Sequence, residues 1–248
     1  MRNTILITGA SSGLGAQMAR EFAARGRDLA LCARRADRLE ELRAELLERN
    51  PRISVRIAAL DVTDHEQVFE VFERFRADLG RLDRVIVNAG LGKGQPIGSG
   101  RFDANLQTAE TNFVAALAQC EAAMQAFRDQ RAGHLVVVSS MSALRGMPRN
   151  MTTYAATKAG VSALAEGIRA EHAGGPIKVS TVLPGYIATE LSSKSGRTPM
   201  QAPLEKGVRS MVRAIEKEKP VAHVPAWPWV PMGFVLRHLP VKMVGKLG

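Results

Sequence analysis

Cysteine, tryptophan and tyrosine each occur only twice in these 248 residues. Cys32 and Cys120 cannot build a disulfide framework and stand at no metal-ligand spacing, so no metal is expected and a reducing, cytoplasmic setting is. No uninterrupted apolar run reaches the roughly 18 residues of a spanning helix. Met1-Arg2-Asn3-Thr4 leads straight into an apolar strand pattern, which leaves no room for a signal peptide. Linkers and low-complexity tracts are missing as well. With 46% hydrophobic and 23% charged residues, disordered and collagen-like classes are excluded. The length fits one α/β domain with a core that needs no staples.

Charge is plentiful and lopsided. The net charge is +10, and from Pro203 to Gly248 eight Lys/Arg face three Glu. A basic surface attracts phosphates, nucleic acid or anionic lipid, although it is equally a plain solvated face. No DNA- or RNA-binding motif accompanies it, so nucleic acid is not an expected partner.

Short β-branched runs alternate with amphipathic stretches. Strands are expected at Thr4–Thr8, Asp28–Cys32, Ser54–Leu60, Arg84–Asn88, His134–Ser139 and Lys178–Leu183, with a seventh at Val221–Val224. Nearly all of the first six are apolar throughout, as in strands buried on both faces of a parallel sheet. Helices are expected at Gly15–Arg25, Ala36–Arg49, Asp64–Leu79, Phe102–Arg128 and Thr153–Ala173. This βαβ repetition predicts a single-domain, Rossmann-type doubly wound parallel sheet of six to seven strands flanked by helices. Residues 1–190 form its cofactor and catalytic core, and 191–248 add a substrate loop, the last elements and a basic Pro/Trp-rich tail.

The first strand runs into Thr8-Gly9-Ala10-Ser11-Ser12-Gly13-Leu14-Gly15 and then a helix. Glycines let a backbone approach a pyrophosphate, and a helix N-terminus offers free N–H groups and partial positive charge. Many such strings are mere tight turns; between the first strand and the first helix this one is where a dinucleotide fingerprint belongs. The second strand ends in Arg34-Arg35, and no acid lies between Asp28 and Asp37. An acid there would accept from ribose hydroxyls, whereas an arginine pairs with a 2′-phosphate. Arg34 is the better candidate, with Arg35 flanking it and Ser11 as an added donor, so NADP(H) is expected over NAD(H). The plainer alternative is two surface arginines opening a helix. Asp61-Val62 and Asn88-Ala89-Gly90 end the third and fourth strands, where ligands of open sheets bind. Asp61 suits an adenine edge or a simple turn, Thr63-Asp64 suits a helix cap, and Asn88, Ala89 and Gly90 suit the adenine ribose.

The fifth strand ends in Ser139-Ser140, with Tyr154 fourteen residues beyond Ser140 and Lys158 four further. Residues four apart share a helix face, so phenol and ammonium project together. An ammonium lowers a neighbouring phenol's pKa from near 10. Such a phenol can protonate the alkoxide formed when a carbonyl receives hydride, and a serine hydroxyl can share the developing charge. No Lys-Ser/Thr follows the glycine turn as phosphoryl transfer requires.

These motifs resemble the short-chain dehydrogenases/reductases of about 250 residues: Thr8-Gly9-x-x-x-Gly13-x-Gly15, Asp61-Val62, Asn88-Ala89-Gly90, Asn112, Ser140, Tyr154-x-x-x-Lys158 and Pro184-Gly185, in the family's order from residue 8 to about 190. The resemblance implies Tyr154 as general acid/base, Lys158 on the nicotinamide ribose and supporting Tyr154, and Ser140 positioning substrate. It further implies that Asn112 holds a relay water, and that Pro184, Gly185, Ile187 and Thr189 close over the nicotinamide. Without it, Asn112 is a mid-helix polar residue bonded to a neighbouring carbonyl. Two departures stand out. The Ser140–Tyr154 gap is one residue long for the family, with the extra residue in Pro148–Thr153, which keeps Ser139 and Ser142 open as alternatives to Ser140. The family's frequent Asp-Gly-Gly ending is missing.

In the family the helices carrying Asn112 and Tyr154 pack against a neighbouring subunit. Ala115, Ala116, Ala118, Ala122 and Ala123, with Ala155, Ala156, Ala159, Gly160 and Ala163, permit such close approach or ordinary packing on the sheet. A homodimer or homotetramer is expected. The tail carries both tryptophans, Trp227 and Trp229, the apolar Met232–Leu239 stretch and the cations Arg237, Lys242 and Lys246. A subunit contact or a substrate lid is preferred for it over peripheral membrane contact. The expected activity is NADPH-dependent interconversion of a carbonyl and an alcohol, the substrate lined by Leu91–Gly100, Ala143–Thr153 and Tyr186–Ala202. Met141, Met147, Met151 and Met200 suggest an apolar pocket. The rivals are an NAD-linked alcohol dehydrogenase of the same fold and a non-catalytic dinucleotide sensor.

Overall fold

The computed structural model describes residues 2–92, 94–189 and 201–245. Seven strands form one sheet: β1 (Thr4–Thr8), β2 (Asp28–Ala33), β3 (Val55–Ala59), β4 (Arg84–Val87), β5 (Gly133–Val138), β6 (Ile177–Pro184) and β7 (Val221–Val224). Their order is β3-β2-β1-β4-β5-β6-β7, and every neighbouring pair is parallel. Every expected strand is present with its ends within one residue of the sequence pattern, the Val221–Val224 edge included. The chain winds outward in both directions from β1 and β4, which opens a crevice at their carboxyl ends.

The helices are α1 (Gly13–Ala23), α2 (Ala36–Arg49), α3 (His65–Leu79), α4 (Phe102–Ala109), α5 (Ala115–Gln130), α6 (Thr152–Glu171), α7 (Leu204–Glu216), α8 (Ala226–His238) and α9 (Val241–Val244). Strand side chains alternate faces, and the core divides accordingly. Ile5, Ile7, Leu29, Leu31, Val136 and Val138 pack with Met18 and Phe22 of α1, Leu39 of α2 and Met211 of α7. Leu6, Ala30, Cys32, Leu135 and Val137 point the other way, onto Phe72 and Phe75 of α3, Phe127 of α5 and Val161 of α6.

Local signals explain several boundaries. Asp64 caps α3 by accepting from the Gln67 N–H, and Gly80 ends it at φ +75°. The expected Phe102–Arg128 helix is interrupted by a π-helical turn over Glu110–Val114, which rotates Thr111 and Asn112 inward. The long Ser140–Tyr154 connection contains 3₁₀ turns at Met141–Leu144 and Arg149–Met151, with Arg149 left-handed at φ +57°.

Candidate functional site

The glycine turn bridges β1 and α1 and is latched to the end of β4. Thr8 Oγ1 accepts from the N–H groups of Asn88 at 3.0 Å and Ala89 at 3.1 Å. Asn88 Nδ2 donates to the Thr8 carbonyl at 2.9 Å. A Cβ at Gly9 would lie 2.9 Å from Ala89 Cα, and one at Gly15 would collide with the Gly9 carbonyl, so both positions demand glycine. Gly13 is left-handed at φ +54°, and the Thr189 side chain lies across from it, 3.6 Å from where a Cβ would sit. Ser12, the α1 N-cap, makes no side-chain cap bond. Leu14 packs partly buried against the core. The latch through Thr8 and Asn88 spans eighty residues, and no local pattern announces it.

At the end of β2 the two arginines differ. Arg35 donates from Nη2 to Ser12 Oγ at 2.7 Å and to Ser11 Oγ at 3.1 Å. Arg34 is exposed beside it. The guanidinium resting on the turn is thus that of Arg35, although residue type alone favours Arg34. Asp61 behaves as a turn residue: its Oδ1 accepts from Thr63 N–H and Oγ1 at 3.0 and 2.8 Å. Val62 beside it is buried.

Four residues of the reacting end converge from β4, the π turn, β5 and α6. A Cβ at Gly90 would approach Asn112 Oδ1 at 3.1 Å and Lys158 Nζ at 3.5 Å. Asn112 Oδ1 accepts from the Leu91 N–H at 2.7 Å, and its Nδ2 donates to the Leu91 carbonyl at 2.8 Å. It therefore ties the segment after β4 to the π turn, instead of bonding within its own helix. Lys158 Nζ is buried and donates to the Val138 carbonyl at 2.9 Å. Burial lowers its pKa to about 8.

The three serines part company. Ser139 is buried and donates to the Lys158 carbonyl at 2.8 Å, with Ser162 donating to it at 2.7 Å. Ser142 donates to Ser140 Oγ through both N–H and Oγ, at 3.2 and 2.9 Å. Ser140 is the serine that interacts with the Tyr154 phenol. Tyr154 itself departs from the sequence expectation of a lowered pKa. Burial pushes its pKa up, the Ser140 hydrogen bond pulls it down, and Tyr186 adds to the rise. Lys158 Nζ stands 5.9 Å from the Tyr154 ring centre and spends a hydrogen bond on Val138, so desolvation wins.

The segment after β6 completes the crevice. Gly185 donates to the Val224 carbonyl at 3.0 Å. Its missing Cβ is needed, because the Trp229 indole occupies that space. Tyr186 meets Trp229 edge-on, ring centres 5.3 Å apart. Ile187 is buried and forms a bridge with Ala202. Trp229 also clusters with Met141 and Leu183. Its place in the site was hidden in sequence, where the only sign was two tryptophans in a proline-rich tail. Of the expected substrate loop, residues 190–200, Met200 among them, lie outside the described residues, as does Lys246. Among the described residues no group of His, Cys, Asp and Glu is arranged to hold a metal.

The short chain dehydrogenase family model matches residues 3–199. An uncharacterized oxidoreductase of Mycobacterium tuberculosis is 52% identical over 245 residues, spanning 99% of this chain and 97% of that protein. The short-chain dehydrogenase from Sphingobium yanoikuyae in complex with NADPH is similar with a TM-score of 0.83 at 28% identity, over 94% of this chain and 92% of that one. NAD+-bound xylitol dehydrogenase shares the fold with a TM-score of 0.79 at 23% identity, over 89% and 96% of the two chains.

Proposed function

Since the chain belongs to the short-chain dehydrogenase/reductase family of oxidoreductases, we propose that it interconverts a ketone or aldehyde and the matching alcohol with NADP(H), using Tyr154 as the acid/base. The observation that carries this reading is the gathering of Ser140, Tyr154, Lys158 and Asn112 beside the glycine turn. The crevice also suits a dinucleotide, since Ser12 makes no side-chain bond to the first turn of α1, whose N–H groups can then receive an anion. Bound NADPH would supply a hydride to the carbonyl carbon. Gly9, Ser11, Ser12, Gly13, Leu14 and Gly15 hold the pyrophosphate side through backbone and hydroxyl donors. Arg34 and Arg35 hold the 2′-phosphate, Asp61 and Val62 the adenine, and Asn88, Ala89 and Gly90 its ribose. Lys158 and Tyr154 hold the nicotinamide ribose, and Pro184, Gly185, Ile187 and Thr189 cover the nicotinamide. This follows the fold's general habit of binding at the carboxyl ends of its strands.

Ser140 Oγ donates to the substrate oxygen and orients it. Tyr154 donates its phenolic proton to that oxygen as negative charge develops. Its raised pKa keeps the proton in place at neutral pH, so the phenol stands ready as the donor. Lys158, charged below about 8, returns a proton toward Tyr154, and Asn112 holds the relay water. Residues 1–190 do this work and 191–248 shape the substrate side of the same domain, for an apolar carbonyl or alcohol. A cytoplasmic homodimer or homotetramer accompanies this reading. Its supports are two buried free thiols and the exposed apolar Phe113 and Val114 of the π turn with Leu117 of α5.

Fluorescence titration with NADPH and NADH tests the cofactor. Arg34→Ala and Arg35→Ala are expected to weaken NADPH about tenfold or more and leave NADH unchanged. Equal binding of both cofactors, insensitive to either change, would overturn the NADP(H) preference. Tyr154→Phe should weaken cofactor binding only slightly, Lys158 still holding the ribose, and lose on the order of 10²–10⁴ in turnover; unchanged turnover would remove Tyr154 from the chemistry.

A further inference from the structure

The outer side of the tail helix has no place in the oxidoreductase chemistry. On its inner side α8 buries Trp229 and Gly233, and Met232 and Leu236 pack against Met141 and Leu183. On its outer side Trp227 is 79%, Val230 52% and Phe234 69% exposed, and Val241 of α9 is 75% exposed. A helix that is apolar all round belongs in a core or a membrane environment, yet among the described residues only one side of α8 is covered. Among the described residues no helix is long and apolar enough to cross a bilayer.

The charges beside this patch select the occupant. Between Ala226 and Gly245 the charged residues are Arg237 and Lys242, both positive, and the last acid in the chain is Glu218. A two-fold contact with a second copy would set this patch against itself, cation near cation, with no acid of its own to pair them. Lipid phosphates supply the missing negative charge, and tryptophan and phenylalanine suit the boundary between headgroups and acyl chains. We propose that the outer side of α8 and α9 docks the protein on an anionic lipid surface. The inner side of α8 touches Met141 and Leu183, chain neighbours of Ser140 and Pro184. Docking therefore brings the candidate site next to the bilayer, where apolar carbonyl compounds partition.

The test is sedimentation of the full chain with phosphatidylcholine vesicles, with and without phosphatidylglycerol. Binding is expected only with phosphatidylglycerol and should fall with salt. Phe234→Asp should weaken it about tenfold or more, and the Arg237→Glu/Lys242→Glu pair should abolish it. All these side chains are exposed, and matching melting curves confirm folding. Trp227 gives an independent signal: the emission blue shift on adding vesicles should vanish in Trp227→Phe while Trp229 still emits. The proposal fails if the full chain does not sediment, if it binds phosphatidylcholine equally well, if the variants bind like the parent, or if the blue shift survives Trp227→Phe. It also fails if Phe234→Asp turns a dimer into a monomer in light scattering without any vesicle binding, which would assign the patch to a second copy.

Discussion

Lys158 is buried as an ammonium, and that burial sets a measurable trade between stability and function. Desolvation lowers its pKa from the ordinary 10.5 to about 8. At 1.36 kcal/mol per unit, the charged form at pH 7 costs about 3 kcal/mol. Between 8 and 10.5 the native state has released the proton that the unfolded state still holds, so stability rises with pH across that window. Lys158→Met should therefore melt above the parent at pH 7, after about 1 to 2 kcal/mol is returned for the unpaired Val138 carbonyl. The gap should close toward pH 10.5, and activity should be lost; paired thermal melts at the two pH values check this. A variant that melts below the parent at neutral pH, by an amount independent of pH, would contradict it. At this scale the sequence was clear about residue types and silent about partners. Tyr154 and Lys158 share a helix face by spacing alone. Nothing local distinguishes Ser140 from Ser139, or Arg35 from Arg34, because those differences arise where β5 meets α6 and β2 meets the turn.

Opposite the crevice, at the amino end of the sheet, α7 is bolted to β4 and β5 by a largely buried polar network. Arg84, 1% exposed, donates to Glu216 at 2.8 Å, to His134 Nδ1 at 2.8 Å and to the Ile215 carbonyl at 3.3 Å. Since Nδ1 accepts, His134 carries its proton on Nε2 and donates to Ser180 Oγ at 2.8 Å. Arg27 and Arg2 extend the network to Glu216 and Glu218. Burial, then Arg84 and Arg2, hold the His134 pKa well below 6.5. From 6.5 downward the unfolded state takes up a proton that the native state refuses, so stability is full above 6.5 and drains as pH falls. Melting temperature should drop from pH 7 toward pH 5, and His134→Gln should flatten that slope whatever it does at pH 7. An unchanged slope would assign the acid sensitivity elsewhere. Glu216→Ala should cost about 2 kcal/mol in chemical denaturation, less than a fully buried pair because Glu216 is partly solvated. Strand positions were legible in the sequence to within a residue and most helix ends to within about two, since β-branched runs and 3.6-residue periodicity are local. The π turn at Glu110–Val114 was not, because its bonding pattern depends on Asn112 reaching Leu91.

For the molecule as a whole, the apolar strip across the π turn, α5 and α6 predicts self-association. Phe113, Val114 and Leu117 are exposed beside Ala156, Ala159 and Ala163. Part of the small-residue stripe is already used internally: Ala115, Ala116, Ala122, Ala123 and Ala155 are buried in this chain, and Phe113 lies over Gly160. What remains still suits a two-fold helix contact. Light scattering at micromolar concentration should give at least a dimer, and Leu117→Glu should give a monomer with unchanged melting of the isolated fold. A monomeric parent protein would count against the assembly.

The sequence by itself determined the layered α/β architecture, the glycine turn and the Tyr154–Lys158 pair, because each is written in spacing within a few residues. Only the tertiary structure decided that Ser140 and not Ser139 meets Tyr154, that Arg35 rests on Ser11 and Ser12, and that Trp229 fills the space left by Gly185. It also decided the direction of the Tyr154 shift. The physical reason is the same in each case: contact and desolvation depend on how distant segments cross, and a local pattern carries no information about the crossing.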